Sequence, residues 1–473
     1  MRPTLHVMKR ILLMHVVLVI VGAFVSFAGC ATGVTSPGPE GEYANGVQSR
    51  DLKFARQVRA ARKLTKSGHF SEAFEAFENL IERRPRDLSA HRGLVEASYF
   101  NGRLHEEQEY YSSMSKSGSM RGIGFYGLAL VAVAQGPGHM KAALEYFKKA
   151  AQMMPHEADV PYRIGLVLMM NGENKKALGF LTKALSMDPD FISVRIALGK
   201  CLSELGETKR AIETMRPIVG RELTPEQAKK ALAVAEMIFN PQRDLPVELS
   251  AEINKVLDLM SNDAIQPALT QIDSLAKRFP DVAMVFSLRG LLHSRMENDA
   301  ESIVAFEHAL SLKPNDPFSL VGLGDVYMSL QKWEKARRYY EQALGVNPLD
   351  LDAYERLGSM ALKLGDMDRA AHAYEMLMLL QPDSIDAKHQ YAEVLFRAGR
   401  LDEAIGLYKS ILSMDKDNLI ALIRLAKTHL TIGKIKPETM SVHKKEAKKL
   451  LEKAKDLAPE NEAVKEMLSS LND

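Results

Sequence analysis

Three glycines, Gly122, Gly124 and Gly127, have the spacing of a dinucleotide-binding loop, in which the backbone approaches a pyrophosphate at the start of a helix. A loop of that kind follows an apolar strand. Here the preceding residues are SSMSKSGSM, and no alternation of strands and helices follows. We therefore interpret GIGFYG as a loop between structural elements, and we predict that the chain uses no cofactor.

Histidines and cysteines do not form the pattern of a catalytic or metal centre. His105 and His156 each precede a glutamate, but neither is followed by a second histidine at the spacing of a helical zinc-protease motif. The two cysteines, Cys30 and Cys201, could form at most one bridge. We expect Cys201 to be a buried, inert thiol. The chain is predicted to bind no metal and not to be an enzyme.

The charge balance gives no reason to expect a nucleic-acid partner. Lys and Arg number 62 against 60 for Asp and Glu, which leaves a net charge of +2. A chain of 473 residues is too long for one compact core, so we expect several domains or an elongated array of repeats.

The N-terminus has the features of an export signal. Arg2, Lys9 and Arg10 precede an apolar stretch at residues 11–27, and small residues then lead to Cys30. The sequence FAGC resembles the lipobox of bacterial lipoproteins, with Phe27 at a position where leucine is usual. This resemblance implies a signal peptide at residues 1–29 and lipidation of Cys30. The alternative is an uncleaved anchor, because about 18 apolar residues can span a bilayer.

The resemblance also predicts a location. Ala31 follows Cys30 where an aspartate would favour retention in the inner membrane, so the family pattern implies the periplasmic face of the outer membrane. Anchoring in the inner membrane is the alternative. Residues 30–53 are predicted to be a lipidated, flexible tether, because residues 31–49 are rich in Gly, Pro and Ser.

Most of the remaining chain repeats itself every 34 residues. The interval separates four prolines, Pro280, Pro314, Pro348 and Pro382, and earlier in the chain it separates Pro155 from Pro189. In residues 317–350, Gly324 and Ala336 are small residues where two helices would cross, and Tyr340 follows at helical spacing. This pattern resembles the tetratricopeptide repeat, a pair of antiparallel helices. The resemblance implies an all-α fold, a right-handed α-solenoid of about eleven repeats.

The repeats are predicted to form two blocks. Five repeats occupy residues 54–224, the third of them beginning near Gly124, and six occupy residues 249–460. Residues 225–248 break the register with one helix-like segment, Pro241 and Pro246, and we interpret them as a hinge. Residues 461–473 are predicted to include the capping helix that a solenoid end requires. The repeat at Leu88 lacks both the alanine and the proline.

The resemblance also implies a binding groove. In the family, positions two, five, nine and twelve of the first helix of each repeat line the concave face. The candidate groove residues are Tyr99, Phe125, Leu128, Tyr162 and Met169 in the first block, and Phe318, Asp325, Met328, Asp352, Glu355, Asp386, His389, Glu393 and Phe396 in the second. Five carboxylates beside apolar side chains suggest a basic, amphipathic ligand segment, with a merely solvated acidic face as the alternative. The first block is expected to hold a more apolar partner.

These features together predict a lipid-anchored, non-enzymatic scaffold in the bacterial envelope. Its partners would be proteins or peptides of a pilus, secretion or exopolysaccharide export system, and its oligomeric state is left open. The alternatives are a glycan-binding or export-accessory lipoprotein and a regulator of a cell-wall enzyme, because a fold alone does not fix a function.

Overall fold

The computed structural model describes residues 47–116, 118–243 and 245–471. The regular elements in these ranges are all helices, which confirms the predicted all-α solenoid fold. The described residues belong to two compact units, one ending at Met215 and the other beginning at Arg216. The predicted signal peptide, Cys30 and most of the predicted tether lie outside the described residues.

The first unit consists of helices that alternate as the first and second members of successive pairs. They are α1 (Val47–Lys66), α2 (Phe70–Arg83), α3 (Leu88–Phe100), α4 (Leu104–Lys116), α5 (Arg121–Ala134), α6 (Met140–Met153), α7 (Asp159–Met170), α8 (Asn174–Met187), α9 (Ile192–Glu204) and α10 (Thr208–Met215), with a 3-10 turn at Pro137–His139.

The second unit begins with a 3-10 turn at Arg216–Ile218 and a single helix, α11 (Pro225–Phe239), and continues in pairs. The pairs comprise α12 (Val247–Ser261), α13 (Ile265–Arg278), α14 (Ala283–Arg295), α15 (Asp299–Leu312), α16 (Pro317–Ser329), α17 (Trp333–Val346), α18 (Leu351–Leu364), α19 (Met367–Leu380), α20 (Ile385–Arg397), α21 (Leu401–Met414), α22 (Leu419–Ile435) and α23 (Met440–Leu457). A 3-10 turn at Pro437–Thr439 and a final helix, α24 (Glu462–Ser469), complete the unit.

Local sequence explains where several first helices begin. The side chain of Asp350 accepts a hydrogen bond from the Ala353 amide at 3.0 Å, and Asn418 caps α22 in the same way. These caps satisfy amides that have no partner within the helix. Inside the pair, a Cβ atom on Gly324 would lie 2.4 Å from the Tyr340 ring. The crossing of the two helices therefore requires glycine at that position.

The GIGFYG sequence lies inside α5, so its interpretation as a loop was wrong. A Cβ atom on Gly124 would lie 2.4 Å from the Ser115 backbone nitrogen, and one on Gly127 would lie 2.1 Å from the Tyr111 ring. These glycines allow α5 to approach α4 closely. Their spacing therefore has a packing explanation.

The first helix of the third repeat starts two residues earlier than predicted. Gly127 faces Tyr111 as Gly93, 34 residues before it, faces Phe77, and this places the beginning of the repeat at Gly122. The second helix of this repeat, α6, is again in the predicted register, because the connection from α5 to α6 is longer than in other repeats and contains the turn Pro137–His139. The correction changes which residues of α5 occupy the groove positions.

The single helix α11 packs against a later helix of its own unit. It contacts α19, and Arg216, just upstream, donates a hydrogen bond from Nη2 to the Gly345 carbonyl at 2.8 Å. Met376 is buried on α19, the helix that α11 contacts. The segment predicted to be a hinge thus includes a helix with a fixed place in its own unit. Among the described helices, none combines the length and the apolar character needed to cross a bilayer.

Candidate functional site

The predicted groove residues of the second unit lie on three successive first helices, α16, α18 and α20. Phe318, Glu355 and Asp386 are exposed, while the other members are partly buried: Asp325, Met328, Asp352, His389, Glu393 and Phe396. The structure therefore presents acidic and apolar side chains along the same series of helices.

Two of the predicted acids already have partners within the unit. Asp325 accepts a hydrogen bond from the Tyr340 hydroxyl at 2.7 Å, and one of its oxygens lies 3.1 Å from Arg356 Nε. Glu393 lies 3.0 Å from Arg397 Nε and 3.3 Å from Arg424 Nη1. Each of these two carboxylates therefore joins two other side chains of the unit: Asp325 joins Tyr340 and Arg356, and Glu393 joins Arg397 and Arg424.

The other three acids are available to a ligand. Within the described part of the chain, no cation lies at ion-pair distance from Asp352, Glu355 or Asp386. Burial raises the pKa of Asp352, and Arg356 acts in the opposite direction. A partly buried carboxylate of this kind gains from an added cation, because the cation offsets its desolvation. Phe318, which is 39% exposed, supplies apolar surface on the neighbouring helix α16.

The first unit exposes fewer of the predicted groove residues. Tyr99 is 48% exposed and Met169 is partly buried, whereas Tyr162 is buried and packs its ring on Phe191 at 5.2 Å. Phe125 and Leu128 are also buried. With the repeat starting at Gly122, these last two residues occupy positions four and seven, which pack between helices. Their assignment to the groove was a register error.

The expectation of an apolar groove in the first unit overlooked a buried group of charged side chains, which we call the arginine cluster: Arg62, Arg92, Tyr126, Asp159 and Arg163. The Asp159 carboxylate lies 2.8 Å from Arg92 Nη1 and 3.3 Å from Arg163 Nε. It also accepts a hydrogen bond from the Tyr126 hydroxyl. The cluster therefore connects the first helices α3, α5 and α7, and Arg62 adds α1.

The protonation of Asp159 follows from these contacts. Burial alone would raise the pKa of Asp159, but the charges of Arg163 and Arg92, with the hydrogen bond from Tyr126, lower it to about 2. The carboxylate is therefore ionised at neutral pH and compensates part of the buried positive charge.

Arg62 is the least satisfied member of the cluster. Arg62 is 6% exposed, and its Nη2 atom donates a hydrogen bond to the Ser89 carbonyl at 3.3 Å. Its Nε and Nη1 atoms have no hydrogen-bond partner among the described residues. Burial, followed by the nearby charge of Arg92, lowers the pKa of Arg62 to about 10.

The sequence contained part of the signal for this cluster. Arg62 and Arg92 occupy positions nine and five of the first two repeats, and Asp159 and Arg163 are four residues apart on one helix face. Tyr126 was hidden by the register error, because it is at position five only when the repeat starts at Gly122.

The described ranges contain no candidate metal site, and their one cysteine, Cys201, is buried. Among these residues, no three metal-binding side chains come together. Cys201 is fully buried, its thiol donates to the Asn174 carbonyl at 3.3 Å, and burial raises the pKa of the thiol to about 11. It is therefore a poor nucleophile at neutral pH.

Comparison with protein families gives one consistent result. Four family profiles match, each described as a tetratricopeptide repeat, at residues 58–114 and 321–384, 168–235, 385–428, and 285–316. Together these ranges cover more than half of the chain. No curated protein matches the sequence.

Several solved structures are similar to parts of the chain. YrrB, described as a tetratricopeptide repeat protein with an unusual peptide-binding site, is 19% identical over 41% of this chain and 96% of its own, with a TM-score of 0.35. The repeat domain of P58(IPK) is 19% identical over 74% of this chain and 97% of its own, with a TM-score of 0.24. A tetratricopeptide repeat protein of Parabacteroides merdae is 16% identical over 57% of this chain and 100% of its own, with a TM-score of 0.31.

Proposed function

Because the chain belongs to the tetratricopeptide repeat family, we propose that it is a non-enzymatic scaffold whose grooves bind segments of protein partners. In the second unit the bound segment is basic and amphipathic. The observation that carries this proposal is the set of Asp352, Glu355 and Asp386, acids without an ion-pair partner in the described ranges, beside the exposed Phe318. Lysine or arginine side chains of a partner would complement the acids, and its apolar side chains would contact Phe318.

Charge reversal of the exposed acids tests this binding mode. We expect the double variant Glu355→Lys and Asp386→Lys to weaken binding of a peptide that alternates Lys and Leu at least tenfold, as measured by fluorescence anisotropy with the full chain. Asp325 and Glu393 are unsuitable for this test, because their replacement would also break ion pairs within the unit.

The matched control reverses two exposed acids on second helices, Glu307 on α15 and Glu452 on α23. This control changes the net charge by the same amount as the groove variant, so a general electrostatic effect would weaken binding equally in both double variants. Equal losses, or indifference of the peptide to both variants, would contradict the groove model.

The proposed setting is the bacterial envelope, where a lipid on Cys30 would tether the scaffold at the periplasmic face of the outer membrane. This part of the proposal rests on the FAGC sequence and the apolar stretch before it. Assistance to pilus, secretion or exopolysaccharide export assembly is the role that we propose there, since such systems bring several proteins together at one membrane.

Replacing Cys30 by Ser tests the lipid anchor. In a diderm bacterial host, the intact chain is expected to lose its signal peptide and incorporate labelled palmitate. The variant is expected to do neither, because the thiol is the acceptor of the lipid and part of the cleavage signal. Unchanged size and equal membrane association of both proteins, without palmitate, would instead support an uncleaved anchor.

A further inference from the structure

The arginine cluster has more positive than negative charge. Among the described charges that act on Arg62, two guanidinium groups, Arg92 and Arg163, accompany two carboxylates, Asp159 and Glu96, so this set with Arg62 has one more positive than negative charge. Asp159 is fully engaged, because its oxygens accept from Arg92, Arg163 and Tyr126. Asp159 therefore offers no hydrogen bond to Arg62 in this arrangement.

Arg62 is where this excess is most costly. Its side chain is buried, yet Nε and Nη1 donate to no atom of the described residues. Burial of a charged group without a full set of partners costs folding free energy. A bound carboxylate would lower this cost, because either of these N–H groups could donate a charge-assisted hydrogen bond to it.

The surroundings of Arg62 indicate what kind of molecule carries the anion. The cluster's Arg92 lies on α3, and seven residues along that helix Tyr99 is 48% exposed. Seven residues of helix rise about 10 Å, which is the span of about three residues of extended chain. Phe100, next to Tyr99, is 41% exposed and stacks on Phe70 at 5.0 Å. An aromatic surface thus lies within reach of a short peptide held at the cluster.

We infer that the groove of the first unit binds an acidic segment of a protein partner, with one carboxylate of the segment accepting hydrogen bonds from Arg62. An apolar side chain of the same segment contacts Tyr99 and Phe100. This inference rests on the proposed function and gives the two units ligands of opposite charge, with a basic segment on the second unit. It also replaces the expectation that the first unit takes an apolar partner.

The test uses the full chain and a labelled decapeptide that alternates Glu and Phe, compared with a twin in which Gln replaces Glu. We expect the Glu peptide to bind at least tenfold more tightly than the Gln twin. Arg62→Gln should weaken binding of the Glu peptide at least tenfold. The matched control is Arg59→Gln, the same change on the exposed face of α1, which should alter the affinity less than twofold.

A structural role for Arg62 predicts a different result. Since Nε and Nη1 have no partners in the described chain, Arg62→Gln should leave the thermal midpoint unchanged or raise it. A clearly lower midpoint together with lost binding would mean that Arg62 supports the fold, and it would overturn the inference.

Two further probes separate the remaining outcomes. Binding of an oligouronate or of inorganic phosphate, lost in Arg62→Gln, while the Glu peptide does not bind, would overturn the inference in favour of an anionic glycan or a phosphate group. If the peptide alternating Lys and Leu still binds the second unit when the Glu peptide fails, only this inference is wrong. If neither peptide binds, the proposed function fails as well.

Discussion

Asp159→Asn is expected to lower the free energy of unfolding of the first unit by about 3 to 5 kcal/mol at pH 7. The change is nearly isosteric, but it removes a carboxylate that both Arg92 and Arg163 contact. Two guanidinium groups would then remain buried without that counter-charge. Hydrogen exchange of α3, α5 and α7 in increasing urea measures the loss in the intact chain, where the two units need not unfold together.

The control is Glu157→Gln, the same carboxylate-to-amide change at an exposed residue of the first unit. It should alter the exchange by no more than about 0.5 kcal/mol, as expected for a surface substitution. If Asp159→Asn were as mild as this control, the cluster would not be an energetic link between the repeats.

The stability of the wild-type chain should depend on pH in a way that reveals the ionisation of Asp159. The pKa of Asp159 is lowered from 3.8 to about 2 in the folded chain, so the unfolded chain binds the proton more readily. The stabilisation from Asp159 is therefore present above pH 4 and is lost as the pH falls from about 4 to 2. In Asp159→Asn this component of the acid sensitivity should be absent.

The helix pairs could be predicted because their signals are local and repeated. Gly165, Gly290, Gly324 and Gly358 occupy the same crossing position in their repeats, and at each of them a Cβ atom would collide with a side chain of the second helix. The fold therefore followed from the 34-residue interval. The predicted start of the third repeat was wrong because two extra residues near Pro137 lie between its helices. An insertion of this kind shifts the register without changing the residue types that mark it.

The groove was harder to predict, because charge compensation depends on which side chains meet across repeats. The sequence presents Asp325 and Glu393 as free acids, but the fold places Arg356, Arg397 and Arg424 beside them. Arg62 and Asp159 are almost 100 residues apart, yet both belong to one buried cluster. Periodicity fixes the position of each residue in its own repeat, and the packing of neighbouring repeats determines its partners.

Glu107 shows how one departure from the repeat pattern can cost stability. It occupies position twenty of the second repeat, where most other repeats have alanine, and it is 4% exposed. Its Oε2 atom has no hydrogen-bond partner among the described residues, and burial raises its pKa from 4.5 to about 7. The folded chain therefore favours the protonated acid, so Glu107 destabilises the first unit progressively as the pH rises from about 4.5 to 7.

Removing this charge should stabilise the protein. We expect Glu107→Gln to raise the free energy of unfolding of the first unit at pH 8 by roughly 3 kcal/mol, since each pKa unit corresponds to about 1.4 kcal/mol. The gain should disappear near pH 4, where the wild-type carboxyl is protonated in both states. Hydrogen exchange of α3 and α4 in urea at the two pH values measures it.

Glu109→Gln is the matched control, because Glu109 lies on the same helix with its side chain 76% exposed. It should change the stability little, and by a similar amount at both pH values. If Glu107→Gln gave the same gain at pH 4 and pH 8, better packing of the amide, and not the loss of a buried charge, would be its cause. A gain confined to high pH would show that a carboxylate at an alanine position is what weakens the second repeat.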